Sequence, residues 1–363
     1  MNESTPARKT PLYSLHLELG ARMAPFGGFD MPIQYDSIIN EHHATRRQAT
    51  LFDTCHMGEF IIEGNGALAT LENLVTCPVA DLACGACRYG LMCGEDGGTI
   101  DDLLIYREAD TRYMMVVNAG TQDGDFKWVS DHLAPQTDIR NISEDTGKID
   151  LQGPQSPALL DALMPGVSTG LGYFRFRAAQ WQGQPVTVSR TGYTGERGYE
   201  IYLAPSQAEP FWREAMRVGA VPAGLGARDT LRLESGLPLY GHELRRDRNA
   251  ATTALTRAVS PNKPFIGAEA LRSPEARHQT LAGLLLHGRQ AAREGDILST
   301  VDGAEVGTVT SGSFGPSVGA AIAMAVINRG LAVPDTELLI RTARKPLPCK
   351  VVPLPFYTGT ARS

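Results

Sequence analysis

The sequence predicts an α+β fold built mainly from antiparallel sheet, and three observations support that expectation. Turn signals are dense, with 38 Gly and 23 Pro among 363 residues. The apolar runs between those turns are mostly short and rich in Val, Ile, Tyr and Thr, the composition of strands. Neither strict strand–helix alternation nor an internal repeat is visible, which argues against a doubly wound nucleotide-binding sheet.

Along the chain, Ser37 to Ala49 reads as a helix, followed by EFIIEG, LLIYRE and RYMMVVNA as strands. Thr121 to Leu133 returns to helical spacing, with Phe126 and Val129 on one face. PVTVSRTGY and YEIYLA are strands, and Ser206 to Val218, entered after a proline, is a helix. Ala227 to Ser235 can form another, because Arg228, Leu231, Arg232 and Ser235 recur at helical spacing. Apolar patterning lapses from Arg245 to Pro264, RRDRNAATTALTRAVSPNKP, which marks the expected boundary. Beyond it, GLLLHG, AEVGTVTSG and ELLIRTA predict a separate small β-barrel or sandwich.

At about 150 residues per domain, this length implies two or three domains. With 42% hydrophobic and 20% charged residues, a soluble globular protein is expected. The formal charge of -6 argues against nucleic acid as a partner, since duplex binding needs Lys and Arg spread over a broad surface. The cluster ELRRDR, with Arg245, Arg246 and Arg248, is too short to change this and reads as a solvated turn. No stretch approaches about 18 consecutive apolar residues, and MNESTPARKTPLY resembles neither a signal nor a transit peptide. No membrane association and a cytoplasmic location are therefore expected. Cys77, Cys84, Cys87 and Cys93 lie close together, but Cys77 and Cys93 do not complete a second CxxC-like pair, so no metal is assigned.

Three glycine-bearing islands carry candidate chemistry. In GGTIDDLLIY, Gly97 to Tyr106, strand alternation puts Asp102 with Ile100 and Leu104 on one face, and Asp101 with Leu103 and Ile105 on the other. One acid can stay wet while the other is buried; two solvated acids at a hairpin mouth is the competing reading. In SRTGYTGERGYE, Gly192, Gly195 and Gly198 allow sharp bends or close ligand approach, and Glu200 opens a strand that can aim it into a cavity. In GLGARDTLRLESGLPLY, Arg228 sits near a helix start, where the dipole does not favour a cation. It is held either for a ligand carboxylate or for an internal bridge to Asp229 or Glu234. His42, His43 and His56 read as structural, since adjacent histidines fall on different helix faces and no GxSxG elbow is present. Acids, an arginine, tyrosines and glycine turns, without an obvious nucleophile, fit a site that positions a substrate carrying its own reactivity.

Taken together these islands resemble the glycine cleavage T-protein family, the aminomethyltransferases. TPLYSLHLELGARMAPFGGFDMPIQY, EHHATR, LFDTCHMGEF, GGTIDDLLIY, MVVNAGTQDGDF, LQGPQSP, SRTGYTGERGYEIYL, GLGARDTLRLESGLPLYG, FIGAEAL and VTSGSFGPSVGAAIAMA occur in family order. The resemblance implies a three-lobed cloverleaf around a central tetrahydrofolate channel. Residues 1–250 would form the folate-binding region, two interleaved lobes with the second at roughly 53–140, and residues 251–363 a linker and C-terminal β-barrel. It further implies transfer of a methylene unit from the aminomethyl-lipoyl arm of H protein to tetrahydrofolate, with release of ammonia.

By the same carry-over Asp102 is the catalytic acid, bonding the folate's reacting amine and relaying its proton, while Asp101 stays structural. Glu200 would recognise the donor edge of the pterin, Tyr193 would line its pocket, and Arg228 would meet the benzoyl-glutamate side. Asn118, Met57, Tyr89 and Tyr106 would shape the remaining walls, and Tyr357 and Arg362 would close the channel. The chain departs from the family after LYG: His242, Glu243 and Leu244 lead into 245–262 without the family Trp, and CGAC before Tyr89 is unusual. That leaves two alternatives, a folate-dependent demethylase of the same superfamily and a non-catalytic folate-binding module, although ACRYGLM does not match the KGCYxGQE motif of the latter.

Overall fold

A computed structural model describes residues 6–253, 255, 258–342 and 345–363. Residues 1–5 of the N-terminal stretch, and 254, 256 and 257 of the segment after Tyr240, lie outside the described residues.

Two sheets face each other and position the candidate residues. The five-stranded sheet runs in the order Ala86–Cys93, Thr99–Ala109, Arg112–Val117, Gly58–Glu63, Asp138–Asn141. The six-stranded sheet runs Phe176–Trp181, Gln184–Ser189, Gly198–Leu203, Gly147–Gln152, Thr50–Asp53, Val221–Pro222. Every pairing is antiparallel except that of Val221–Pro222 with Thr50 and Leu51. The short apolar runs therefore form sheet as expected, because each buries one face and pairs locally through a turn.

Alternation divides each sheet into an outer apolar face and an inner, more polar one. Leu103 and Ile105 join Phe60, Ile62, Leu71 and Val129 in a core beneath the helices Ala67–Leu74 and Gln122–Asp131. Tyr106 turns the other way and meets Ile61, Cys87, Val116 and Tyr202 between the sheets. In the second sheet Ile149, Leu151, Tyr199 and Ile201 pack against Phe211 and Trp212 of the helix Pro205–Arg217. Lys148, Asp150, Glu200 and Tyr202 point inward from the same two strands.

The expected helices form at Ile38–Arg47, Gln122–Asp131, Pro205–Arg217 and Leu225–Glu234. Ser37 caps the first by accepting from the Asn40 amide, which fixes its start. C-terminally, Gln279–Leu286, Ala320–Asn328, Glu305–Gly315, Ile297–Ser299, Glu337–Arg341 and Leu347–Val352 close into a six-stranded barrel. Closure satisfies the edges that such short strands would otherwise leave open.

ELRRDR carries an exposed turn at Arg246 and Asp247, and the segment around it also packs on the rest of the protein. Thr99 donates to Arg245 O (3.0 Å) and Ala250 to Gly97 O (2.9 Å), so this chain lies along the hairpin that carries the two acids. Arg246 pairs with Asp96 at 2.7 Å, and Leu244, Ala250 and Phe265 pack on Leu91, Cys93 and Leu271. Weak patterning hid this because backbone hydrogen bonds and a few small apolar residues supply the contact. Among the described residues no helix is long and apolar enough to cross a membrane.

Candidate functional site

Sheet register assembles the acid end of the site. Val116 lies opposite Leu104, so Asn118, two residues on, comes level with Asp102. Tyr89 pairs with Leu104 and reaches diagonally to the same acid. Asn118 Nδ2 donates to Asp102 Oδ1 at 2.8 Å and to Asp101 Oδ1 at 2.7 Å, while its backbone amide donates to Asp101 Oδ2 at 2.9 Å. Tyr89 Oη donates to Asp102 Oδ2 at 3.0 Å. Of the two neighbours Asp101 is fully buried and Asp102 is half-buried, facing the second sheet.

Burial, reinforced by the charge of Asp101, pushes the Asp102 carboxyl up to about 7, against the opposing bonds from Tyr89 and Asn118. Asp101 is raised well above the usual range by burial and by Asp125 beside it. Two adjacent carboxyls that resist ionisation at neutral pH are what a proton-transfer site requires.

Across the gap, an ion chain of alternating sign runs through the second sheet. Arg228 Nη1 meets Asp150 Oδ2 at 2.9 Å, Lys148 Nζ meets Asp150 Oδ1 at 2.8 Å, and the same Nζ meets Glu200 Oε1 at 3.0 Å. Register explains it, because Glu200 pairs with Asp150 and Tyr202 with Lys148. Burial would favour neutral Lys148, but Asp150 and Glu200 hold its ammonium above its ordinary range. Burial likewise opposes ionised Asp150, yet Lys148 and Arg228 keep it low.

Glu200 Oε2 accepts from Thr191 (2.6 Å), Tyr106 (3.2 Å) and Tyr202 (3.3 Å), whereas Oε1 holds Lys148 alone. Each carboxylate oxygen offers about two acceptor positions, so Oε1, with a single donor, keeps one open. Tyr193 joins the two ends: its ring lies 4.9 Å from the Arg228 guanidinium, its hydroxyl donates to Pro238 O, and Asp102 and Tyr89 are close enough to interact with it. A Cβ on Gly192 or Gly198 would come within 2.1 or 2.3 Å of Gln152 Oε1, so glycine here admits the buried amide that ties down the Tyr193 loop.

Of the sequence candidates, Asp102, Asn118 and Tyr89 form one hydrogen-bonded group, Glu200 and Arg228 with Tyr193 line the other side, and Tyr106, on the strand of Asp102, reaches across to Glu200. Met57 packs beside the Tyr106 cluster and also lines a cleft of about 660 Å³ with Arg8, Phe29 and Cys55. Arg228 takes neither expected internal partner: Asp229 pairs with Arg232, and Glu234 with Arg46 and His42. Tyr357 lies under the Arg46 guanidinium and Arg362 beside Tyr173, both apart from the acid group. Among the described residues no three His, Cys, Asp or Glu side chains converge as a metal site.

Sequence reasoning missed Lys148, Asp150, Glu59 and Asp125. GKIDLQ carried a readable signal, charged residues alternating with Ile149 and Leu151 in a buried strand. Glu59 is buried between the sheets near Lys148 and Glu200, and that burial raises its carboxyl well above the ordinary range, with no hydrogen-bond partner for it among the described residues.

Comparison with known proteins places this arrangement. Residues 12–263 match the GCVT N-terminal domain, and residues 279–358 match the glycine cleavage T-protein C-terminal barrel domain. The aminomethyltransferase of Halothermothrix orenii is 42% identical over 356 residues, covering 96% of this chain and 99% of the relative. That of Moorella thermoacetica is 43% identical over 361 residues, covering 96% and 98%. The crystal structure of glycine cleavage system aminomethyltransferase T from Bartonella henselae superposes with a TM-score of 0.91 at 33% identity, covering 98% of this chain and 99% of that one.

Proposed function

The chain belongs to the glycine cleavage T-protein family, an enzyme family, and from that premise we propose that it transfers a methylene unit from the aminomethyl-lipoyl arm of H protein to tetrahydrofolate. Residues 1–250 and 251–363 are the working domains of this reading, and the cytoplasm its location. The observation that carries it is the Asp102 carboxyl, held between Tyr89 and Asn118 on the face opposite Glu200 and Arg228.

The donor set fits a reduced pterin. Glu200 keeps an acceptor position for an N–H edge, the half-buried Tyr89 and Tyr193 offer flat apolar faces, the fully buried Tyr106 backs Glu200, and Arg228 offers charge toward a carboxylate tail. Tetrahydrofolate, when bound, supplies the two nitrogens that receive the carbon. In the net reaction those nitrogens lose two protons, one ending on the lipoyl sulfur and one on the ammonia that leaves. Ionised Asp102 accepts a proton from the attacking amine, and its charge offsets the cationic character of the carbon in transit. With its titration near 7, turnover should rise through neutral pH as Asp102 ionises.

The test measures ammonia and methylenetetrahydrofolate formed from tetrahydrofolate and aminomethyl-loaded H protein. Asp102→Asn should lose on the order of 10²-fold or more, and Asp101→Asn much less. Equal losses would refute this division of roles. No turnover by the parent protein while folate still binds would replace the reading with the demethylase one.

A further inference from the structure

Behind Asp101, on the face turned away from the second sheet, lies a third carboxyl. Asp125 belongs to the first turn of the helix Gln122–Asp131 and is fully buried, with the Thr121 hydroxyl beside its carboxyl. Its carboxyl meets that of Asp101 within hydrogen-bonding reach. Two carboxylates in contact and out of water cannot both stay ionised, so one proton must lie between them. The helix N-terminus favours a single negative charge there but does not satisfy two.

This pair connects directly to the catalytic acid. Asn118 Nδ2 donates to Asp101 Oδ1 at 2.7 Å and Asp102 Oδ1 at 2.8 Å, with Asp102 O a longer third acceptor at 3.2 Å, so the amide orientation favours both carboxyl oxygens as acceptors. A proton arriving on Asp102 is thereby directed to Oδ2, where the Tyr89 hydroxyl, unlike the amide, can turn from donor to acceptor. We propose that Asp101 and Asp125 share one proton and that the pair, acting through Asn118, is the positioning unit that sets the charge Asp102 faces. The proposal rests on Asp102 as the reacting acid for its catalytic meaning, not for its physical content.

The other groups around this unit are the phenols of Tyr89, Tyr193 and Tyr240, with Arg228 and Arg232 behind Tyr193 and Arg246 beside Tyr240. Burial keeps all three phenols neutral. The three carboxyls are left to respond to one another near pH 7.

Two isosteric substitutions should then act in opposite directions. In Asp125→Asn the new amide donates to Asp101, which becomes a full carboxylate next to Asp102, and Asp102 becomes harder to ionise. In Asp101→Asn the charge retreats to Asp125, farther away, and Asp102 ionises more easily. The experiment follows the Asp102 carboxyl carbon by NMR titration of the full-length protein labelled with 13C-aspartate, with melting curves to confirm folding. The expected midpoint rises by about one pH unit in Asp125→Asn and falls by about one in Asp101→Asn. The acid limb of turnover should follow in the same two directions.

Unmoved midpoints, or shifts of the same sign, would overturn the proposal. If one variant fails to fold, the sign of the other's shift still decides. Opposed midpoints with an unchanged turnover limb would support the carboxyl pair and refute Asp102 as the reacting acid, so the two ideas fail separately.

Discussion

Asp101 and Asp102 are adjacent in sequence and opposite in environment, so their chemistry is decided by which way a strand residue points. For Asp102 the folded carboxyl titrates at about 7, above the roughly 3.9 of an unfolded chain. The folded state therefore binds the extra proton between those values, and this contribution to stability is lost as pH rises through 7. Asp102→Asn removes the penalty, so its melting temperature should exceed the parent's by more at pH 8 than at pH 5. A constant difference across that range would show that Asp102 is not buried as an acid. Arg228 is already neutralised by Asp150, and Arg228→Ala should raise the folate dissociation constant more than it slows turnover of bound folate. Unchanged binding would leave Arg228 a partner for Asp150 alone.

At the scale of elements, the hairpin before Asp102 is held by the segment that follows Tyr240. A Cβ on Gly98 would lie 2.1 Å from the backbone oxygen of Arg246, so Gly98→Ala must lift that segment or distort the turn. It should lower stability by about 1–3 kcal/mol and reduce turnover by displacing Asp102. Gly124, exposed in the first turn of the helix Gln122–Asp131, would meet nothing within 4 Å with an added Cβ. Gly124→Ala should instead stabilise by about 0.5–1 kcal/mol. Thermal melts of the two variants make the comparison, and equal effects would refute the packing argument. The atypical residue Glu243 is part of the same junction: fully buried, it accepts from Arg232 (3.0 Å), Leu239 N (3.0 Å) and Thr310 (2.6 Å), the last in the barrel.

Across the whole molecule, one buried network ties the parts together. Arg46 pairs with Glu196 at 2.9 Å and Glu234 at 3.0 Å, Glu234 also accepts from Ser317 N in the barrel, and Thr360 of the C-terminal tail donates to Glu196. Burial alone would raise Glu234, but His42 and Arg46 bring it down to about 2. Its contribution to stability is thus present above the unfolded value of roughly 4.3 and lost as pH falls toward 2. Arg46→Ala, which strands two buried carboxylates, should cost about 3–5 kcal/mol in a denaturant melt. A loss under about 1 kcal/mol would mean that the network is not what couples barrel to sheets.

Much of the architecture was legible in the chain itself, because strand and helix periodicities and glycine turns are local. The antiparallel class, a C-terminal barrel or sandwich and four helices follow from such patterns, and the ordered motifs pointed to the family and through it to the barrel. Alternation within GGTIDDLLIY also showed that the two acids must part company. The sequence could not show that Asp150 takes Arg228, that Lys148 bridges to Glu200, or that Asp125 stands behind Asp101, since each pairing joins residues far apart in the chain. Nor could it show that the weakly patterned segment after Tyr240 packs on the acid hairpin. Those contacts depend on strand register and on how one sheet lies over another, and only there do burial and neighbouring charge set the protonation of each acid.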